Sequence, residues 1–152
     1  MKTIKLSLLV LLTTTLFLGS CKKYEDGPMF SLRTKKARVA GTWEMEKYFE
    51  AGVDKTVEYK QLVSSNKMEL KRNGDLDVTL GGNYMGFPVT LTGTGTWEFL
   101  SGKEEVETNT TFTGQSTSTR TVYKILRLKN KELWVEVKDT NPVQEFHFKS
   151  TK

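Results

Sequence analysis

The strongest constraint on this chain is a period of two. From Gly41 onward apolar residues alternate with polar ones: Trp43, Met45 and Phe49 against Glu44, Glu46 and Glu50, then Met68 and Leu70 against Glu69 and Lys71. Successive side chains of a strand point to opposite faces, so this alternation marks strands with one face buried and one in water. Asn73-Gly74 follows, a hairpin signal because both central positions of a type I′ turn need positive φ. Leu76, Val78 and Leu80 then alternate with Asp75, Asp77 and Thr79. Gly81-Gly82-Asn83 reads as the next turn, with a strand at 89–91 and another where Trp97 and Phe99 flank Glu98. Strands over 106–112, 122–128, 133–137 and 145–149 bring the number to eight or nine. Many short strands with regular turn signals predict an all-β domain, an antiparallel barrel or sandwich. Seventeen threonines after residue 20 suit the same class.

The N-terminus follows a different pattern. Lys2 and Lys5 precede an apolar run over 8–18, broken only by Thr13, Thr14 and Thr15, and Leu18-Gly19-Ser20 ends in small residues. That order predicts a secretory signal peptide over residues 1–20. The run is short of the ~20 residues that a spanning helix needs. Cys21, the only cysteine, comes next. An odd cysteine in an exported chain calls for an explanation, and acylation supplies one. Leu18-Gly19-Ser20-Cys21 resembles the lipobox of bacterial lipoproteins. The resemblance implies a diacylglycerol on the Cys21 thiol, cleavage before it and an acyl group such as palmitate on the new amine. Each buried methylene is worth ~0.8 kcal/mol, so several acyl chains anchor stably where one is marginal.

Residues 21–30 read as a polar, turn-prone tether and 31–150 as the folded domain. The residue after the cysteine is Lys22 rather than aspartate, which by the proteobacterial sorting pattern implies the outer membrane. Lys22 and Lys23, then Glu25 and Asp26, look like the export tags of surface lipoproteins of the Bacteroidota, so the periplasmic or the outer face both stay open.

Residues 31–40 predict a short helix: Ser31 is a candidate N-cap, and Leu32, Lys36 and Val39 are near helical spacing. Arg33, Lys35, Lys36 and Arg38 give it four cations. They read first as a solvated helix face, and second as a contact for anionic head groups. Residues 57–65 fit a helix or a strand.

Composition narrows the chemistry. The 152 residues hold 23 Lys or Arg and 18 Asp or Glu; without residues 1–20 the basic count falls to 21, a charge of +3. That length supports one domain and one core. A single cysteine excludes an intrachain disulfide, and a single histidine excludes a zinc site of several imidazoles. His147 lies between Phe146 and Phe148, so it should face away from both, with no nucleophile motif to serve. Asn73 to Asp77 lacks the spaced oxygens and bidentate Glu of a calcium loop, and the hairpin already explains it. Glu44 and Glu46 could act as paired carboxylates, but alternating acids are also what an outward strand face carries. Gly93-Thr94-Gly95 has no helix after it to form a phosphate loop. The sequence pI of about 9.2 does not indicate nucleic acid, since acids are interleaved and the aromatics follow strand alternation. No enzyme, cofactor or metal is expected.

A short helix leading into Gly41-Thr42-Trp43 at the first strand, followed by a meander, resembles the lipocalins. Lipobox, acidic tether, Lys35-Lys36-Ala37-Arg38 and then Gly-x-Trp together resemble the small lipocalin-like lipoproteins of the Bacteroidota. The resemblance implies an up-and-down barrel with a short N-terminal helix, in which Trp43 closes the base and Arg38 or Arg127 stacks on it. Two functions follow as expectations. The first is a lipid-anchored, non-catalytic envelope barrel that binds a small apolar ligand in a cavity lined by Trp43, Met45, Met68, Leu70, Val78, Trp97, Phe99, Leu126 and Val135. The second is an interaction module, or accessory subunit of an envelope complex, whose barrel is simply full and whose 113–118 loop side is used. Cavity volume separates them: a ligand site needs on the order of 300 Å³ or more.

Overall fold

Strands that each bury one face form a sheet with one apolar side, and closing that sheet on itself hides the side and removes both edges. The computed structural model describes residues 33–151. They form β1 (Gly41–Glu50), β2 (Val53–Asp54), β3 (Ser65–Leu70), β4 (Asp75–Tyr84), β5 (Phe87–Phe99), β6 (Glu105–Phe112), β7 (Thr119–Leu128), β8 (Glu132–Val137) and β9 (Gln144–Ser150). Two helices, α1 (Lys35–Val39) and α2 (Thr56–Leu62), accompany them, with a 3-10 turn at Ser101–Lys103. Every neighbouring pair is antiparallel, and β9 returns to β1 from Trp43↔Ser150 to Glu50↔Gln144. The result is a closed, eight-stranded, up-and-down barrel, with β2 as a short extra strand on the end of β1.

Sequence order therefore sorts the connections to two ends. Helix α1 and residues 71–74, 100–104 and 129–131 lie at one end, the α1 end. Residues 51–64, 85–86, 113–118 and 138–143 lie at the other. Helix α1 is capped by Thr34, whose Oγ1 accepts from the Ala37 N–H at 3.2 Å. Ser31, the cap expected from sequence, falls outside the described residues, as do residues 1–30. Residues 57–65 resolve into most of α2 and the first residue of β3.

Several expectations on register need correction. Strand β1 bulges between Met45 and Lys47, which shifts its phase by one residue. Tyr48 is consequently buried, and Phe49 packs against His147 instead of joining the core. Gly81-Gly82-Asn83 is not a turn but part of β4, and 89–91 and 97–99 belong to the single strand β5. The two-residue turn is Met85-Gly86, with φ of 52° and 89°. Positive φ at both positions is the type I′ geometry that suits a twisted hairpin, and the flanking pair is Tyr84↔Phe87. At Asn73-Gly74 only the glycine has positive φ. Asn73 stays in ordinary space, and its Oδ1 accepts from the Asp75 N–H at 3.1 Å.

Candidate functional site

The interior is the expected binding space, and its side chains nearly fill it. Trp43, Met45, Leu70, Trp97 and Val135 are buried, and Met68, Val78 and Phe99 pack half-buried against them. Leu126 departs from the expected lining. Strand β7 bulges between Ile125 and Arg127, so Ile125 and Leu128 take the inward positions and Leu126 is only half-buried. One void of about 20 Å³ remains among Val39, Leu70, Ile125 and Val135. A second of about 70 Å³ is bounded by Asn66, Met68, Val78, Tyr123 and Phe146. Small-molecule sites run from about 300 to 1,000 Å³.

Both ends of this core are stoppered. At the α1 end the Trp43 indole donates to the Val39 carbonyl at 2.8 Å, and Arg38 Nη1 donates to the Leu128 carbonyl at 3.1 Å. Lys36 Nζ sits 5.9 Å from the centre of the Trp97 ring, whose indole donates to the Lys71 carbonyl at 2.8 Å. Trp43 thus ties α1 to the barrel at this end. At the other end Tyr59 of α2 packs on Tyr48 with ring centres 4.7 Å apart and planes tilted by 37°, and its hydroxyl accepts from Asn66 Nδ2 at 3.1 Å. Burial raises the pKa of Tyr59. It also raises that of Tyr123, with hydroxyl contacts from Thr121 and Thr108 working the other way.

Arg127 does not stack on Trp43. The same β7 bulge turns it to the outer wall, where its guanidinium lies 4.4 Å from the centre of Trp134 and its Nε donates to Glu132. Trp134 in turn stacks on His147, rings 4.0 Å apart and 3° from parallel, and Phe49 packs on His147 at 4.8 Å. His147 Nε2 meets Glu145 Oε1 at 2.5 Å. His147 does face away from the buried Phe148, but its side chain is only 12% exposed. Its faces and ring nitrogen are all engaged in packing.

Clefts also open on the outside of the described residues. One of about 530 Å³ runs past Lys36, Asp75, Trp97, Glu98, Lys103 and Asn109, of mixed charge. Another, about 270 Å³, lies along Glu44, Glu46, Lys60 and Lys149. Among the described residues no group of three or more His, Cys, Asp or Glu side chains is placed to hold a metal ion.

The most distinctive surface is one that sequence reasoning missed. Pairing of β4 with β3 stops at Gly81, and pairing of β5 with β6 starts at Gly93, yet β4 and β5 stay paired out to Tyr84↔Phe87. Their distal part is a two-stranded ribbon beyond the barrel wall. Met85 is 82% exposed and Phe87 73%, with Val89 and Leu91 also exposed. Phe87, Val89 and Leu91 alternate along β5, so they share one face. Leu62 of α2, another exposed apolar residue, adjoins its base, where its carbonyl closely approaches Gly82. Residues 78–97 contain no charged side chain in a chain that is 27% charged. That uncharged run was the available signal. Pro88 lies on β5 before its pairing with β6 begins, where that side of the ribbon is an open edge.

No protein-family model matches the chain, and no curated protein matches it significantly.

Proposed function

We propose that this chain is an exported, lipid-anchored protein of the bacterial outer membrane, akin to the lipocalin-like lipoproteins. Residues 1–20 are its leader, and acylated Cys21 is its attachment. Its barrel is a filled scaffold, and it works as a non-catalytic interaction module for an envelope protein. The observation that carries this reading is the uncharged β4–β5 ribbon, with Met85, Phe87, Val89 and Leu91 exposed. An exposed apolar ribbon is an aggregation liability unless a partner covers it. The two small interior voids support the same choice, because a small apolar ligand has too little room between the packed side chains.

Photo-crosslinking in intact cells tests it. A benzophenone side chain at position 87 should give one discrete adduct with another envelope protein, and the same group at position 117, in the exposed 113–118 loop, should not. A chain with no adduct at 87, whose barrel instead retains an apolar small molecule through purification, would contradict the reading.

A further inference from the structure

We infer that the α1 end of the barrel is a docking face for an anionic lipid surface. This rests on the anchored reading above and adds the direction in which the molecule stands. Four segments meet at this end. Residues 33–40 contribute four Lys or Arg, 71–74 two, 129–131 two, and 100–104 one together with Glu104. The connections at the opposite end hold three cations, Lys55, Lys60 and Lys138, and three acids, Asp54, Glu58 and Asp139. Counted over these connections, one end is basic and the other electrically neutral, with Asp75, Glu98, Glu105 and Glu132 flanking the basic connections on their strands.

The basic end is a single built surface. Lys36 lies over Trp97, Trp97 is hydrogen-bonded to the Lys71 carbonyl, Arg38 to the Leu128 carbonyl, and the Ser150 N–H to the Lys131 carbonyl. Lys36, Arg72, Lys103 and Lys131 are exposed on it. Lys71 also pairs with Asp77 at 2.5 Å, an exposed bridge of the kind that contributes little. Four cations on an isolated helix are at the lower edge of what anionic head groups recruit; the folded cap exceeds that number.

The chain's path puts this face at the membrane. Residue 33 lies at the α1 end, and Cys21 is twelve residues before it. At ~3.3–3.6 Å per residue that tether spans at most about 40 Å. Attraction to an anionic surface fades over a screening length of ~10 Å at 0.1 M salt, so the tether lets the cap reach the surface and the charge of the cap has to keep it there. Docked this way, the barrel stands on its basic end and holds the apolar ribbon away from the bilayer.

Hydrogen exchange tests the inference on the full chain as the cell processes it, reconstituted into phosphatidylcholine vesicles with or without phosphatidylglycerol. Amides of 71–74, 100–104 and 129–131 should exchange about fivefold or more slowly on the anionic vesicles. The difference should vanish at about 1 M salt, and it should be lost in the Arg72→Glu, Lys103→Glu, Lys131→Glu variant. Matched reversal at the other end, Lys47→Glu, Lys55→Glu, Lys60→Glu, should keep it. Equal exchange on both vesicles, or equal loss in both variants, overturns the inference. Flotation after a carbonate wash reports the lipid anchor separately, so failure of the anchor and failure of the docking face are distinguishable.

Discussion

The indole N–H of Trp43 donates to the carbonyl of Val39 at 2.8 Å, and both residues are fully buried. One bond thus ties the last residue of α1 to the first strand of the barrel and satisfies a helix carbonyl that has no partner within its own helix. Trp43→Ala should cost about 3–5 kcal/mol, as large-to-small aromatic changes in a core do. Trp43→Phe keeps most of the apolar bulk but leaves the Val39 carbonyl unpaired, and should cost about 1–3 kcal/mol. Urea denaturation midpoints check both. A midpoint unmoved in Trp43→Ala would place Trp43 outside the core.

His147 illustrates a residue that is easy to misread from sequence alone. Alternation correctly turns it away from Phe148, yet on the outer wall it is enclosed by Trp134 and Phe49. Aromatic pairs of this kind contribute about 0.5–1.5 kcal/mol beyond their buried area. His147→Ala should therefore lower stability by about that amount, while a deletion strain stays complemented when the protein is at normal abundance. A folded, abundant His147→Ala protein that fails to complement would point to chemistry at the imidazole.

Gly95 is fixed by a neighbour rather than by a turn. A Cβ there would lie 1.8 Å from the Asn109 carbonyl oxygen, which is backbone of β6 and cannot rotate away. Gly95→Ala should cost about 3 kcal/mol or more, because β5 and β6 must separate to admit the methyl. Thermal unfolding of the variant measures it. A melting temperature within a degree or two of the parent would show that the sheet adapts.

The barrel itself was legible because period-two alternation survives any detail of pairing, and each predicted core strand brings Trp43, Leu70, Leu76, Trp97 or Val135 inward. Bulges were not legible. A bulge adds one residue to one strand, and nothing in the local composition announces it, so unbroken alternation puts Phe49 inside in place of Tyr48, and Leu126 in place of Ile125. Arg127, one of the two candidates to stack on Trp43, lies over Trp134 for the same reason. Gly81 and Gly82 resemble turn residues, but β4 runs straight through them to a turn at Met85-Gly86. The basic end came from assembly: α1 with Arg33 has four cations, and only the topology adds those of three distant loops.

Alkaline conditions should expose the buried phenol. The pKa of Tyr123 is raised in the fold, chiefly by burial, so the folded state keeps its proton after the unfolded chain has lost it. Its contribution is fully present below the ordinary tyrosine pKa of about 10 and is lost as pH rises from there through the folded value. Denaturation midpoints should fall above about pH 10, and Tyr123→Phe should flatten that fall. An unchanged slope in Tyr123→Phe would assign the alkaline loss to other groups.

The proposal that the ribbon, and not the barrel interior, carries function is tested most directly by complementation of a deletion strain. The informative comparison is between two variants at matched abundance. Phe87→Ser with Val89→Ser makes the ribbon polar without touching the core, since both side chains are exposed. Val78→Ile reduces the 70 Å³ void while leaving the outer surface as it is. Loss of complementation by the ribbon variant, with Val78→Ile behaving as the parent, is the expected result. Full complementation by the ribbon variant together with loss in Val78→Ile would contradict it and return function to the interior of the barrel.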